Sequence, residues 1–149
     1  EFIVADEPAA SLDLSVQAQV VNLLNSIRRK NGGSILYITH NLRMLRFVSQ
    51  RMAVMYRGRI VEIGKTETIF NNPLHPYTKL LFGSLLCLDP KERGKRNGKS
   101  YFGEKGLKDE QESGGCIFFS RCSQGGPRCR ESPPLQEIGF DRRVACCNL

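Results

Sequence analysis

The sequence predicts an α/β fold, a parallel sheet carrying helices, followed by a small irregular cysteine-rich appendage. Three observations carry this expectation. Two short apolar runs, Phe2-Ile3-Val4-Ala5-Asp6 and Ile35-Leu36-Tyr37-Ile38-Thr39, each lead directly into side chains able to do chemistry. Between them lies one stretch of helical periodicity, long enough to return the chain to the start of a neighbouring parallel strand. Five of the six cysteines fall after residue 115, in a segment too short for a large core of its own.

Residues 2–6 are apolar without alternation up to Asp6, the pattern of a strand covered on both faces. Residues 14–30 read as a helix. Val16, Val20, Leu23, Leu24 and Ile27 recur at helical spacing and form its expected apolar face. Asp13 is placed to cap that helix, and Asn31-Gly32-Gly33 stops it. Residues 34–39 form the next buried strand and complete one right-handed βαβ unit. A second helix covers Leu42 to Val48. Met52 to Tyr56 and Arg59 to Gly64 flank Arg57-Gly58 as a hairpin. Thr66 to Phe70 is a short helix closed by Asn71-Asn72-Pro73, and Pro76 opens another that runs to Leu86. Asp89 to Gly115, rich in Lys, Glu and Gly and poor in aliphatic residues, reads as a linker. The expected division is residues 1–88, a linker over 89–115, and a cysteine-rich tail over 116–149.

Asp6 and Glu7 are adjacent carboxylates at the carboxyl end of a strand, where open α/β sheets bind their ligands. Nucleotide hydrolysis needs a group that holds Mg²⁺, one that polarises water and one that senses the γ-phosphate. Asp6 suits the first role and Glu7 the second, with Pro8 turning the chain away. Ser11-Leu12-Asp13 follows closely, and His40 stands at the end of the next strand, from which an imidazole can reach both a phosphate and Glu7.

This order resembles the second half of an ABC-type ATPase, from its Walker B acids through the D-loop to the switch histidine. The resemblance narrows with Val16-Gln17-Ala18-Gln19, with Ala53-Val54-Met55-Tyr56-Arg57-Gly58-Arg59-Ile60-Val61-Glu62-Ile63-Gly64, and with Asn72-Pro73-Leu74-His75-Pro76-Tyr77-Thr78-Lys79-Leu80-Leu81. These are similar to the ATP-binding subunits of the oligopeptide/dipeptide importer branch, over residues 1–86 and the tail. The resemblance implies a partial P-loop NTPase sheet and an ATPase that drives peptide import. It implies ATP and Mg²⁺ as cofactors, with Asp6 on the metal, Glu7 as general base, His40 on the γ-phosphate and Asp13 acting across a dimer of ATP-binding subunits. The partners implied are transmembrane permease subunits, a second identical or paralogous ATP-binding subunit and, indirectly, a substrate-binding protein. The place implied is the cytoplasmic face of a prokaryotic plasma membrane. Asn41 and Ala9-Ala10 depart from the branch, which commonly has Asp after the histidine and Thr or Ser before the D-loop. No phosphate-cradling loop and no Leu-Ser-Gly-Gly-type motif occur in the sequence. The first residue already lies in a strand. The chain is therefore expected to be a piece of a longer protein and inactive alone. His75 and Tyr77 read as a packed turn into a helix.

The tail runs Cys116-x5-Cys122-x6-Cys129-x16-Cys146, with Cys147 next to the last of these. Four thiolates can satisfy Zn²⁺ or a [4Fe–4S] cluster. The paired short spacings of most zinc sites are absent, and wider spacing favours a cluster, with zinc and free or disulfide-linked thiols as the other readings. The resemblance adds that some members of the branch hold an iron–sulfur cluster in such a tail, ending in an Arg-Val-Ala-Cys like Arg143-Val144-Ala145-Cys146. Arg121, Arg128 and Arg130 flank the cysteines and are placed to offset a cluster's charge. Cys87 reads as a packed small residue.

The net charge of +7 comes from 22 basic and 15 acidic residues. It is spread along the chain, with +4 over residues 1–88 and +3 beyond, so no concentrated nucleic-acid surface is expected. No apolar run approaches the roughly 20 residues of a membrane span, and no export signal is visible. Two other functions fit parts of the pattern. One is a non-transport iron–sulfur ATPase of the ABC type. The other is a catalytically inert, cysteine-ligated metal-binding module.

Overall fold

The computed structural model describes residues 2–10, 12–86 and 114–149, and it is a mixed α/β structure. Ser11 of the Ser-Leu-Asp loop, Cys87 and nearly all of the expected linker lie outside the described residues. The chain forms two compact units, Glu1–Gln50 and Arg51–Leu149.

In the first unit, β1 (Phe2–Asp6) pairs in parallel with β2 (Ser34–Ile38), from Phe2 opposite Ser34 to Asp6 opposite Ile38. Glu7 extends the ladder by donating its N–H to the Ile38 carbonyl at 2.8 Å. The crossover is α1 (Leu14–Asn31). Asp13 caps it, its Oδ1 accepting from the Ser15 and Val16 N–H groups at 3.0 Å and from the Ser15 hydroxyl at 2.6 Å. Gly32, at φ +63°, ends it in the left-handed conformation. Arg28, Arg29 and Lys30 in the last turn oppose the negative end of the helix dipole. The second helix, α2 (Leu42–Val48), is capped by the Asn41 side chain.

Two expectations are corrected here. The strands are covered on one face only: Phe2, Val4, Leu36 and Ile38 share an exposed face, with Phe2 67% and Val4 57% accessible. The inward face of α1 is also rotated from the expected one. Val21 is buried and Gln17, Val20, Leu24 and Arg28 are half-buried, while Leu23 is 62% accessible and Ile27 lies outward as well. The spacing 17-20-21-24-28 is as helical as the apolar set, so periodicity alone does not choose between the two stripes.

In the second unit, β3 (Arg51–Tyr56) and β4 (Arg59–Lys65) form the expected hairpin. Arg57 and Gly58 both have positive φ, +45° and +79°, as a two-residue turn matched to the strand twist requires. A bulge opposite Val54 and Met55 leaves Val61 unpaired with β3, and it turns both Val61 and Glu62 inward. Helices α3 (Thr66–Asn71) and α4 (Pro76–Leu86) follow, with Phe70 stacked on Phe82 at 4.5 Å between ring centres.

The tail is not set apart from this hairpin. It contributes β5 (Gln136–Glu137) and β6 (Arg143–Val144) to one antiparallel sheet of order β3-β4-β6-β5. Val144 sits opposite Glu62, and the Ala145 N–H donates to the Val61 carbonyl at 2.9 Å. The tail also sends Phe118 and Val144 into the same core as Tyr56, Val61 and Ile69. A segment with too few apolar residues to fold around itself uses the core of its neighbour.

Candidate functional site

Strand, turn and helix cap place the residues of the first site. β1 delivers Asp6 and Glu7 and β2 delivers Thr39 and His40 at the same sheet edge, because the two strands are parallel and in register. Glu7 lies at φ +44°, an uncommon conformation for a residue with a side chain. That turn brings its carboxylate back over the end of β2. Its Oε1 receives the His40 Nδ1 at 2.7 Å and the His40 backbone N–H at 3.1 Å, and its Oε2 receives the Thr39 hydroxyl at 3.3 Å. The hydrogen bond from the His40 ring is the main reason Glu7 lies below the usual carboxylate range, while partial desolvation works the other way. Glu7 is therefore ionised at neutral pH. With Nδ1–H directed at the carboxylate, His40 presents Nε2 outward, and the ring is largely exposed.

A small cleft beside this pair is lined by Glu7, Pro8, Ala9, Ala10, Gln17, Thr39, His40, Asn41 and Met44. Asn41 ties its wall together. Its N–H donates to the Thr39 hydroxyl at 3.0 Å, its Oδ1 accepts from the Met44 N–H at 3.2 Å, and its Nδ2 donates to Gln17 Oε1 at 3.2 Å. Gln17 in turn donates to the Leu12 carbonyl at 2.9 Å. The departure at Asn41 thus supplies a side-chain N–H, a donor that an aspartate lacks. Asp6 is exposed at the end of β1. Asp13 lies on the following loop, where all three of its contacts fall on Oδ1. The arrangement can hold a water against a carboxylate and offer a ring nitrogen to an anion.

Cys129 and Cys146 are buried, Cys116, Cys122 and Cys147 half-buried, and all five are free. Burial pushes the Cys116 and Cys122 thiols up, and the neighbouring thiols push in the same direction. Burial and then Cys129 carry Cys147 up to about 11. Backbone N–H groups work against this, that of Phe118 at Cys116 and that of Gln124 at Cys122, while the Phe119 N–H donates to the Cys116 carbonyl at 2.9 Å. Gly115 allows the closure: a Cβ there would stand 3.0 Å from the Cys129 carbonyl oxygen. The Cys116 N–H donates to that same oxygen at 2.9 Å. A single zinc ion with Zn–S bonds of about 2.3 Å draws its sulfurs to within about 4 Å of one another. Among the described residues no three His, Cys, Asp or Glu side chains are gathered so tightly.

One constellation has no counterpart in the sequence reading. Glu62 is fully buried and pairs with Arg142, itself buried. The carboxylate also accepts from the Leu74 N–H at 3.1 Å and the His75 N–H at 3.0 Å. His75 is 2% accessible, and its Nδ1 accepts from the Tyr77 N–H at 3.1 Å. Burial pushes its pKa down to about 4. Tyr77 packs on Tyr56 at 4.6 Å and on Phe118 at 5.6 Å. The packed turn expected at His75 and Tyr77 is thus what the structure contains. A lone glutamate inside Val61-Glu62-Ile63 was the available signal for the buried pair, whereas nothing in Arg142-Arg143 distinguishes the buried arginine from the exposed one.

Residues 61–129 match the family described as the oligopeptide/dipeptide transporter C-terminal region. The chain is 47% identical over 147 residues to YkfD of Bacillus subtilis, covering 98% of this chain and 44% of that protein. It is 40% identical over 150 residues to the oligopeptide transport ATP-binding protein OppF of Salmonella typhimurium, and 38% identical over 149 residues to OppF of Escherichia coli. Each of these alignments spans the whole of this chain and 44% of the relative. The chain thus spans less than half the length of the relatives it matches. Among the described residues no helix is long and apolar enough to cross a membrane.

Proposed function

From the likeness of this chain to the C-terminal part of the oligopeptide/dipeptide transport ATP-binding proteins, we propose that it belongs to the ATP-hydrolysing subunit of an ABC-type peptide importer with a partial P-loop NTPase sheet. The observation that carries the reading is the contact between Glu7 and His40 at the carboxyl ends of two parallel strands. Glu7, ionised at neutral pH, orients the attacking water and accepts its proton. His40 keeps that carboxylate aimed and turns Nε2 toward the γ-phosphate. Asp6 holds Mg²⁺, which supplies charge neutralisation at the phosphates when bound. Asp13 fixes the start of α1 through Oδ1 and leaves Oδ2 for a contact across a dimer of ATP-binding subunits. The partners on this reading are permease subunits that cross the membrane, with the ATPase peripheral on its cytoplasmic face.

Cys116, Cys122, Cys129 and Cys146 are the residues that hold a [4Fe–4S] cluster in this proposal. The cluster supplies the folding energy of a metal-ligated segment. Burial raises the Cys116 and Cys122 thiols, and backbone N–H groups offset only part of that rise. Zinc is the alternative occupant.

The deciding experiment reconstitutes the full-length protein with its permease subunits in liposomes and follows ATP hydrolysis together with peptide uptake. Uptake that requires ATP supports the importer. ATP hydrolysis indifferent to the permease subunits but stimulated by ribosomes or nucleic acid supports the non-transport ATPase instead.

A further inference from the structure

We propose that His75, together with Tyr56 and Tyr77, is the seat of the cysteine site: these are positioning residues that hold the two loops bearing Cys116 and Cys146 against the hairpin and α4. The inference rests on the reading of the tail as a ligand site and adds to it the residues outside the tail that shape it.

The geometry points to His75 from two directions. One ring nitrogen, Nδ1, accepts from the Tyr77 N–H and so is fixed to the start of α4. The ring's remaining N–H faces the Ala145 carbonyl, which accepts from it. Ala145 immediately precedes Cys146, and its own N–H is held by the Val61 carbonyl at 2.9 Å. Both backbone polar groups of Ala145, the residue before Cys146, are thereby engaged from outside the tail. On the other side, the Phe118 ring lies 5.8 Å from the His75 ring, 5.6 Å from Tyr77 and edge-on to Tyr56 at 5.2 Å. Phe118 is buried, and its backbone N–H is one of the donors aimed at the Cys116 sulfur. An aromatic seat for the ring therefore fixes the direction of a donor to a sulfur. Beneath both, Glu62 holds the His75 backbone N–H while it pairs with Arg142, four residues before Cys146. A bare imidazole in a core has only to satisfy its nitrogens. This one satisfies them by joining the start of α4 to the residue before a cysteine.

Two substitutions separate positioning from packing. His75→Asn carries an acceptor at the place of Nδ1 but is too short to reach Ala145. His75→Gln places an N–H near the position of Nε2 and restores that reach. In the reduced, metal-free full chain, iodoacetamide labelling read by mass spectrometry gives a rate for each cysteine. With His75→Asn, Cys146 is expected to react roughly fivefold faster while Cys122 keeps its rate, because one net hydrogen bond is lost from a local opening equilibrium. His75→Gln is expected to return the rate to within about twofold of the unsubstituted protein. Equal rates for Cys146 in all three proteins, or His75→Gln as fast as His75→Asn, would overturn the assignment. If His75→Asn unfolds the unit, seen as all its thiols reacting alike, Phe118→Leu decides. That change keeps an apolar side chain but removes the ring contacts. Faster labelling of Cys116 with Cys122 unchanged supports the seat, and an unchanged Cys116 rate overturns it. Iron and sulfide measured on protein purified without oxygen test the ligand reading separately. No iron alongside the expected labelling pattern removes the cluster and keeps the seat, whereas iron without that pattern keeps the cluster and removes the seat.

Discussion

Glu7 and Glu62 are both glutamates held by a nitrogen-bearing side chain and by backbone N–H groups, yet they stand in opposite settings. Glu7 lies at a strand end, on a turn of uncommon backbone geometry, with its partner His40 largely exposed. Glu62 lies inside a strand, fully buried, and its partner Arg142 is buried with it. An exposed carboxylate beside a titratable ring can exchange protons with a substrate and with water. A buried carboxylate locked to an arginine cannot, because removing either charge leaves the other in a medium that solvates it poorly. On the proposed reading, the comparison separates a residue placed to react from one that holds. It also shows why proximity of an acid to a base is not by itself a catalytic sign.

The comparison is broken most forcefully at the buried pair. Arg142→Met strands the Glu62 carboxylate and is expected to destabilise the second unit by about 3–5 kcal/mol, read from chemical denaturation of the full chain. The double change with Glu62→Gln should recover part of that loss, since the amide oxygen still accepts from the Leu74 or His75 N–H. A loss below about 1 kcal/mol for Arg142→Met would mean that the pair is no more than a surface ion pair in its energetics.

A smaller effect follows from His75. Its pKa is about 4 in the folded chain against 6.5 for the unperturbed group, with burial as the main cause. The folded state therefore refuses a proton that the unfolded state accepts. The stability linked to His75 is fully present above pH 6.5 and is lost as the pH falls from 6.5 toward 4, by at most about 3 kcal/mol. Denaturation midpoints measured across that window should fall with pH, and His75→Gln should flatten the slope. The smallest effect is at Asp13. Asp13→Ala removes the cap of α1 and is expected to cost about 1 kcal/mol in the first unit, seen as a lower denaturation midpoint with little change elsewhere.

Much of this layout could be read from residue order. The apolar runs, the glycine stop after Asn31 and the Arg57-Gly58 turn each act locally, so β1, α1, β2 and the hairpin followed from the sequence. The meeting of Glu7 with His40 followed too, because two parallel strands joined by one helix present their carboxyl ends at one edge. The inward face of α1 did not, since Gln17, Val21 and Arg28 compete at the same helical period as Leu23 and Ile27. The joining of tail to hairpin was hidden for a different reason. It depends on two-residue strands and on a bulge that turns Glu62 inward, features of pairing between distant segments rather than of either segment alone. The seating of Phe118 among Tyr56, His75 and Tyr77 belongs to the same class.

The most direct test of the central claim, that Glu7 is the hydrolytic base and His40 its guide, is steady-state ATP hydrolysis by full-length protein carrying Glu7→Gln, with nucleotide binding measured alongside. The amide keeps the shape of the side chain and loses the proton acceptor. The account predicts that MgATP still binds and that turnover falls by about 10²–10⁴. Hydrolysis near the unsubstituted rate, with binding intact, would contradict it and leave the Glu7–His40 contact a structural one.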